Sequence, residues 1–383
     1  MLRHFMFDVL SNMSIKTASV ILAAGKGTRM CSSIPKVLHT LAGQPLLEYA
    51  LDLGLHICKL PIVVVGFESE KVQEFIGDRA KVVLQNQQLG TGHALHQAAD
   101  VLRGQVDMVL VWAADMPLLT KSLLEAVVHC QTKNEGPVSI ITAISDDDRG
   151  FGRVVRSDRH EVQAVVEQSD ATSEQLAINE LNVGVYCFDS LWLWDELSTL
   201  KPSASGEYYL TDLIESAALQ NQKIGVVTSN AGDEIIGINT RIHLAEAETA
   251  LRARINHSWM ERGVTLIDPD NTYIDSNVEI GLDTTILPNT HLQGGTVVGS
   301  ECTLGPNSTI RDSVMGNRCK VEYSVVEGAT LEDEVDVGPF GHLRAGTHLG
   351  NGVHVGNFGE VKNSHLGSGV KMGHFSYIGD AIV

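Results

Sequence analysis

The sequence predicts two architectures in one chain: an α/β domain with a mostly parallel sheet, followed by a parallel β-helix. Three observations carry this reading. Up to about residue 230, short Val/Ile/Leu runs alternate with helix-like stretches. Residues 240–263 then hold a single amphipathic stripe. Beyond it the apolar period changes to six.

The strand-like runs are "ASVILA" (18–23), "PIVVVG" (61–66), "KVVLQ" (81–85), "DMVLVWA" (107–113) and "PVSIITAI" (137–144). Unbroken aliphatic runs mark strands buried on both faces, and their alternation with helices marks βαβ units. The helix-like stretches include "QPLLEYALDLGLHI", with Pro45 near its first turn, and "TGHALHQAADVL". Ligands of such sheets sit beyond the carboxyl ends of the strands. In 240–263, Leu244, Ala247, Leu251, Ile255 and Trp259 recur at three- and four-residue steps, the single stripe of a connector helix.

After the connector, Ile274, Ile280, Ile286, Leu292, Val298, Leu304 and Ile310 are spaced strictly by six. The phase slips by one at Met315 and continues to Val321. A second series runs Val337, Leu343, Leu349, Val355, Val361, and Leu366, Met372 and Ile378 carry it on after one more slip. Glycine often follows the aliphatic residue. Neither a helix nor a flat sheet has a period of six; a β-helix with turn glycines does. The chain stops in full repeat register, so the expectation is either a truncated chain or an end covered by another subunit.

Bulk properties narrow the function. At 383 residues two domains are expected. A formal charge of −19 excludes a surface for nucleic acid or anionic membrane. The six cysteines are scattered without a CxxC pair, which suits a reducing compartment and neither a disulfide framework nor a zinc ribbon. No apolar run approaches the roughly 20 residues that span a bilayer. Residues 1–16 read as a loose extension with a possible start at Met13, and the expected location is cytoplasmic.

The loop Gly25-Lys26-Gly27-Thr28-Arg29-Met30 follows a buried strand, where backbone N–H groups converge on an anion. It matches neither the Walker pattern nor the dinucleotide fingerprint, because Met30 takes the third glycine position. With Lys36, three cations stand within eleven residues, which points to a polyphosphate such as a nucleoside triphosphate. A glycine turn with solvated lysines is the bland alternative.

The stretch "LAAGKGTRM…PKVLHTLAG" resembles the signature of sugar-phosphate nucleotidyltransferases. With "QNQQLGTGHAL", "GFGRVVR", "NELNVGVY" and "GEYYLTDLI", the chain from about residue 17 is similar to one family in particular. That family is the bifunctional N-acetylglucosamine-1-phosphate uridylyltransferases and glucosamine-1-phosphate acetyltransferases of bacterial cell-wall synthesis. The resemblance implies a Rossmann-like nucleotidyltransferase domain with a mostly parallel sheet, then a left-handed parallel β-helix of hexapeptide repeats. It divides the chain into the extension 1–16, a nucleotidyltransferase domain 17–240, a connector helix 241–263 and an incomplete acetyltransferase-like β-helix 264–383. The implied substrates are UTP and N-acetylglucosamine 1-phosphate, with Mg²⁺ as cofactor and a homotrimer formed through the β-helix.

The resemblance also implies roles for residues. Leu22, Ala23, Ala24 and Gly25 would line the nucleotide, with Arg29 and Lys36 on its phosphates. Gln85, Gly90 and Thr91 would read uracil, a side-chain amide offering donor and acceptor together. Asp115, in the stretch Ala113-Ala114-Asp115, would ligate Mg²⁺ with Asn239. Gly152, Glu167 and Asn182 would contact the amino sugar. Asp115 as a turn former, Asn239 as a helix cap and Glu167 as an exposed strand residue are the competing readings. In the β-helix, Arg344, Lys362 and Tyr377 would hold the acetyl acceptor, with His374 as the general base.

Two departures from the family pattern stand out. Ala113-Ala114 replaces Tyr-Gly before the metal aspartate, adding a methyl group where backbone would approach a ligand. Ser169 stands where a lysine follows the sugar-binding glutamate. The coils that carry the acetyl-CoA contacts would lie beyond Val383, so the expectation is uridylyl transfer with little or no acetylation. Acetyl-CoA is then a co-substrate only if the C-terminal activity is intact. His342, His348 and His354 repeat every six residues, which places them on different faces of one coil rather than around one zinc ion. The rival readings are a sugar-1-phosphate nucleotidyltransferase of other specificity and a non-catalytic trimeric scaffold.

Overall fold

The computed structural model describes residues 15–146, 150–204, 206–230 and 232–383. Most of the expected N-terminal extension, residues 1–14, lies outside the described residues. The chain divides into two compact units, the first holding residues up to His39 and Pro45–Ala247, the second Thr40–Gln44 and Glu248–Val383.

The first unit is built on a nine-stranded sheet. In chain order its elements are β1 (Thr17–Ala23), α1 (Leu46–Ile57), β2 (Ile62–Val65), α2 (Ser69–Ile76), β3 (Lys81–Leu84), α3 (Thr91–His96), α4 (Ala99–Leu102) and β4 (Met108–Ala113). Then come α5 (Lys121–Lys133), β5 (Val138–Ile144), β6 (Arg153–Arg156), β7 (Val162–Val166), α6 (Ser173–Leu176), β8 (Glu180–Asp189), α7 (Ser190–Leu197), α8 (Asp212–Leu219) and β9 (Ile224–Ser229). The strand order is β9-β5-β8-β4-β1-β2-β3, with the β6–β7 pair attached to β8. Strands β1 to β4 are mutually parallel, β9 is parallel to β5, the long β8 runs antiparallel to both β4 and β5, and β6 pairs antiparallel with β8 and β7.

The aliphatic runs form buried strands because both of their faces are covered. Ile21, Val63, Leu110 and Trp112 face one apolar layer shared with α1, α2 and α5. Val20, Val64, Val109 and Val111 face the other, shared with α3, α7 and α8. Pro45 stands immediately before α1, and the Thr120 side chain caps α5 by accepting from the Leu123 N–H at 3.3 Å. Residues 91–102 differ from the single helix expected. The Gln97 and Ala98 N–H groups donate three residues back, to Ala94 and Leu95, at 3.2 and 2.9 Å, and this tight turn separates α3 from α4.

Helix α9 (Arg241–Glu261) runs from the first unit into the second. Of its expected stripe, Ala247 and Trp259 are buried, and Leu244, Leu251 and Ile255 are partly covered. The second unit is a parallel β-helix with two sheets of seven strands and one of six. The aliphatic residue of each strand points inward, and these side chains stack as one core from Leu266 to Met372. Val326 and Leu331 belong to the same columns although the six-residue count passes over them, since both follow steps of five. The steps to Met315 and Leu366 are also five, yet each residue pairs in register with the coil before, Val298 with Met315 and Leu349 with Leu366. A shortened corner is absorbed by the turn and the strand register is kept. His342, His348 and His354 lie on three different sheets. Each meets a carboxylate one coil away, Glu327 at 3.4 Å, Glu332 at 2.9 Å and Asp336 at 2.9 Å.

Candidate functional site

Parallel pairing of β1 with β4 puts Leu22 beside Ala113, so the loops that follow both strands leave the same edge of the sheet. One loop carries Gly25 to Arg29 and the other Asp115. They border a cavity of about 500 Å³ lined by Leu22, Ala23, Ala24, Gly25, Lys26, Thr28, Lys36, Gln85, Gly90, Thr91, Asp115 and Glu167, among others. A smaller cavity of about 190 Å³ is lined by Gly152, Asn182, Tyr186, Thr211 and Asn239, and shares Leu22, Thr91, Ala113, Asp115 and Glu167 with the first. The two form one cleft.

The Lys36 ammonium sits between two hard oxygens at the centre of the cleft. It donates to Asp115 Oδ2 and, at 3.2 Å, to Asn239 Oδ1. These side chains come from three segments up to 203 residues apart. Asn239 does not cap α9: Thr240 Oγ1 takes that place, accepting from the His243 N–H at 3.2 Å. A carboxylate and an amide oxygen that already hold one cation suit a small divalent ion, and two protein oxygens leave room for the waters and phosphate oxygens Mg²⁺ retains.

Gln85 is buried, and its Nε2 is committed within the protein, donating to Gly90 O at 3.1 Å and meeting His93 Nδ1 at 2.9 Å. It therefore offers a ligand its oxygen alone, not the donor and acceptor together that sequence reading expects. Gly90 has φ 99° and an added Cβ would strike the Tyr208 backbone, so only glycine fits there. Thr91 Oγ1 accepts from the Leu210 N–H at 3.0 Å and holds the "GEYYLTDLI" segment against the cleft.

Glu167 is no exposed strand residue. It accepts from Thr211 Oγ1 at 3.0 Å. Burial first, then the charges of Asp212, Asp170 and Glu207, push its carboxyl above the ordinary range, while the Thr211 bond pulls the other way.

Other expected residues fall elsewhere. Arg29 is exposed on a turn, and Lys26 is the loop cation that faces the cavity. Ala114 is fully buried in the core and donates its N–H to Leu22 O at 2.9 Å, so its methyl group does not crowd a ligand as expected; Ala113 is the one that lines both cavities. Sequence reading passed over Tyr186, Glu207, Tyr209 and Thr211, three of which lie in the quoted "GEYYLTDLI" motif to which it gave no roles. In the β-helix unit, Lys362 and Tyr377 belong to one sheet and Arg344 directly follows a strand of it, His342–Leu343, with Arg344 paired to Glu360 at 3.1 Å and Lys362 to Asp380 at 3.5 Å. His374 is exposed at the corner before Tyr377 and meets Phe375 edge-on at 5.7 Å.

A parallel α/β sheet with a cationic glycine loop, a hard-oxygen pair at the adjoining strand end and an appended hexapeptide solenoid defines a nucleotidyltransferase with a β-helical partner domain. Family models agree: that of the MobA-like NTP transferase domain matches residues 19–190, and that of the bacterial transferase hexapeptide (six repeats) matches 269–312. The bifunctional protein GlmU of Heliobacterium modesticaldum is 44% identical over 96% of this chain and 81% of its own length. Those of Exiguobacterium sibiricum and Enterococcus faecalis are 43% and 41% identical over 95% of this chain, and over 82% and 80% of theirs. The chain belongs to the GlmU family.

The raised carboxyl of Glu167 sets a pH dependence. The folded protein keeps a proton at pH values where the unfolded chain has released it, so this group's contribution to stability falls as pH rises from the ordinary glutamate range through the raised value. Glu167→Gln removes that loss. In thermal melts without ligand, the variant is expected to melt about 2–4 °C above wild type at pH 8, and the gap is expected to close near pH 4. A gap that does not change with pH contradicts the burial argument.

Proposed function

We propose that the cleft transfers uridylyl groups by holding a triphosphate between the Gly25–Arg29 loop and the Asp115–Asn239 pair. The activity is formation of UDP-N-acetylglucosamine and pyrophosphate from UTP and N-acetylglucosamine 1-phosphate. The observation that carries this reading is the Lys36–Asp115–Asn239 contact, which gathers charge complementary to a phosphate–metal cluster at the mouth of β1 and β4.

The larger cavity takes the nucleotide. Gln85 accepts from the base, Gly90 lets backbone approach, and the loop amides with Lys26 and Lys36 face the phosphates. Arg29, exposed in the same loop, is a further cation for the phosphates. The smaller cavity takes the sugar phosphate between Gly152, Glu167 and Asn182. A phosphate oxygen of the sugar attacks the α-phosphorus of UTP in line, and the bond to the pyrophosphate oxygen breaks. The attacking phosphate is anionic near neutral pH, so no side chain needs to remove a proton. Positioning and charge neutralisation carry the step. Mg²⁺, held by Asp115 and Asn239 when bound, supplies further neutralisation of the phosphate oxygens. Lys36 is then free to turn from the carboxylate to the phosphates.

Pyrophosphate release with UTP and N-acetylglucosamine 1-phosphate tests this, with dTTP, ATP and CTP as competitors for the specificity. Lys36→Ala and Asp115→Ala are each expected to lower turnover by roughly 10²–10³, the usual effect of losing a preorganised charge partner. Losses under about threefold, far short of that range, would refute the assignment.

The hexapeptide unit assembles as a trimer in this proposal. An aromatic column supports it: Tyr323, Phe340, Phe358 and Phe375 pack on successive corners with ring centroids 5.7, 5.1 and 4.9 Å apart, the first pair tilted and the other two stacked. All four have positive φ, between 48° and 64°, which is unusual for large side chains, and Phe375 is 77% exposed. An exposed apolar column held in strained backbone is a surface that a second copy covers. Light scattering on Phe358→Ser/Phe375→Ser is expected to show the mass falling from three chains to one; an unchanged mass places the contact elsewhere. Arg344, Lys362, Tyr377 and His374 would serve acetyl transfer on this unit. No helix among the described residues is long and apolar enough to cross a membrane. The six cysteines are all free thiols, which supports a cytoplasmic location.

A further inference from the structure

Tyr186 is a buried phenol with no task in the transfer step above. It lies on β8 and is 3% exposed, four residues after Asn182. Four residues of straight strand span about 13 Å, too far for two such side chains to meet readily. Here the ladder between β8 and β5 shifts register between Asn182 and Tyr186. Gly184, midway, takes φ 80°, a left-handed conformation that costs glycine little. The bulge bends the strand, and Asn182 Nδ2 donates to Tyr186 Oη at 2.7 Å. Both side chains border the smaller cavity beside Gly152 and Glu167. Burial, and then the charge of Glu167, pushes the phenol upward, so the hydroxyl stays neutral. The carboxamide's other contact is weak: its Oδ1 accepts from the Gly184 N–H at 3.4 Å. The Gly184 N–H can only donate, so it sets which end of the amide is the oxygen, while Tyr186 is the closer contact that holds the carboxamide in place.

We propose that Tyr186 is a positioning residue for the sugar phosphate: its hydroxyl anchors Asn182 Nδ2 and fixes where the carboxamide stands against the sugar. This rests on the reading of the smaller cavity as the sugar site. An amide torsion is broad and roughly two-fold. Without the anchor, the carboxamide turns about that torsion and spends part of its time away from the ligand.

The test is steady-state kinetics on Tyr186→Phe, Asn182→Ala and the double variant, with each substrate varied in turn. Tyr186→Phe is expected to raise KM for N-acetylglucosamine 1-phosphate about tenfold, the scale of one lost hydrogen bond, and to leave kcat and KM for UTP within about twofold, an effect on binding alone. In the Asn182→Ala background the same change is expected to do nothing further, since no amide remains to be aimed. An unchanged KM in Tyr186→Phe overturns the assignment. So does an equal effect with and without the Asn182 amide. A rise in both KM values also overturns it, because loss of packing alone spreads across the cleft. If wild type itself does not use N-acetylglucosamine 1-phosphate, the sugar-site reading fails first and takes this assignment with it.

Discussion

The parallel pairing of β1 with β4 is the constraint on which the cleft depends. Two neighbouring strands that run the same way deliver their following loops to one edge, and here those loops carry opposite charge. One brings the glycine-rich cationic turn, the other Asp115. Lys36 follows that turn in the same connection, and Asn239 arrives from a segment 203 residues further on and closes the group. A buried sheet covered on both faces by helices is stiff, so its edge holds these charges in place before any ligand arrives. Phosphate chemistry gains from this, since positioned charge needs no reorganisation during the reaction.

Towards the smaller cavity the sheet changes character. Strand β8 is antiparallel and bulged at Gly184, and the β6–β7 pair hangs from it. Irregularity there re-aims side chains that a regular ladder would hold apart, which is how Asn182 and Tyr186 come within 2.7 Å. Glu167 is buried close by at a cost in charge solvation, a cost that a polar ligand can offset. The larger cavity thus rests on regular structure and the smaller on departures from it.

The β-helix was legible in the sequence because a period of six has few physical causes. Its strands are two or three residues long in most coils, too short to hold register alone, so the inward aliphatic columns and coil-to-coil pairing supply it. Val326 and Leu331 escaped the count because a five-residue corner shifts the phase without disturbing the stack. The alternation of strand and helix likewise showed in the first unit, since continuous Val/Ile/Leu runs mean cover on both faces. Local bonding did not show: whether 91–102 is one helix or two is decided by two hydrogen bonds three residues back. In the site, the cations behind the first strand pointed to Lys36 and the family resemblance to Asp115, but orientation was out of reach. No pattern in the sequence tells that Ala114 turns into the core while Ala113 lines the cleft. Nor does one tell that Gln85 spends its donors on Gly90 and His93. Thr240 rather than Asn239 caps α9, and only the structure separates two adjacent polar residues with the same capping tendency.

The central claim is that the strand-end charges at Gly25–Arg29, Lys36, Asp115 and Asn239 hold a triphosphate. Diffraction from crystals grown with UTP and Mg²⁺ tests it most directly. The account requires phosphate density against the loop amides and Lys36, with the ion on Asp115 and Asn239. Triphosphate density anywhere else on the chain, with Lys36 still bound to Asp115, would contradict it.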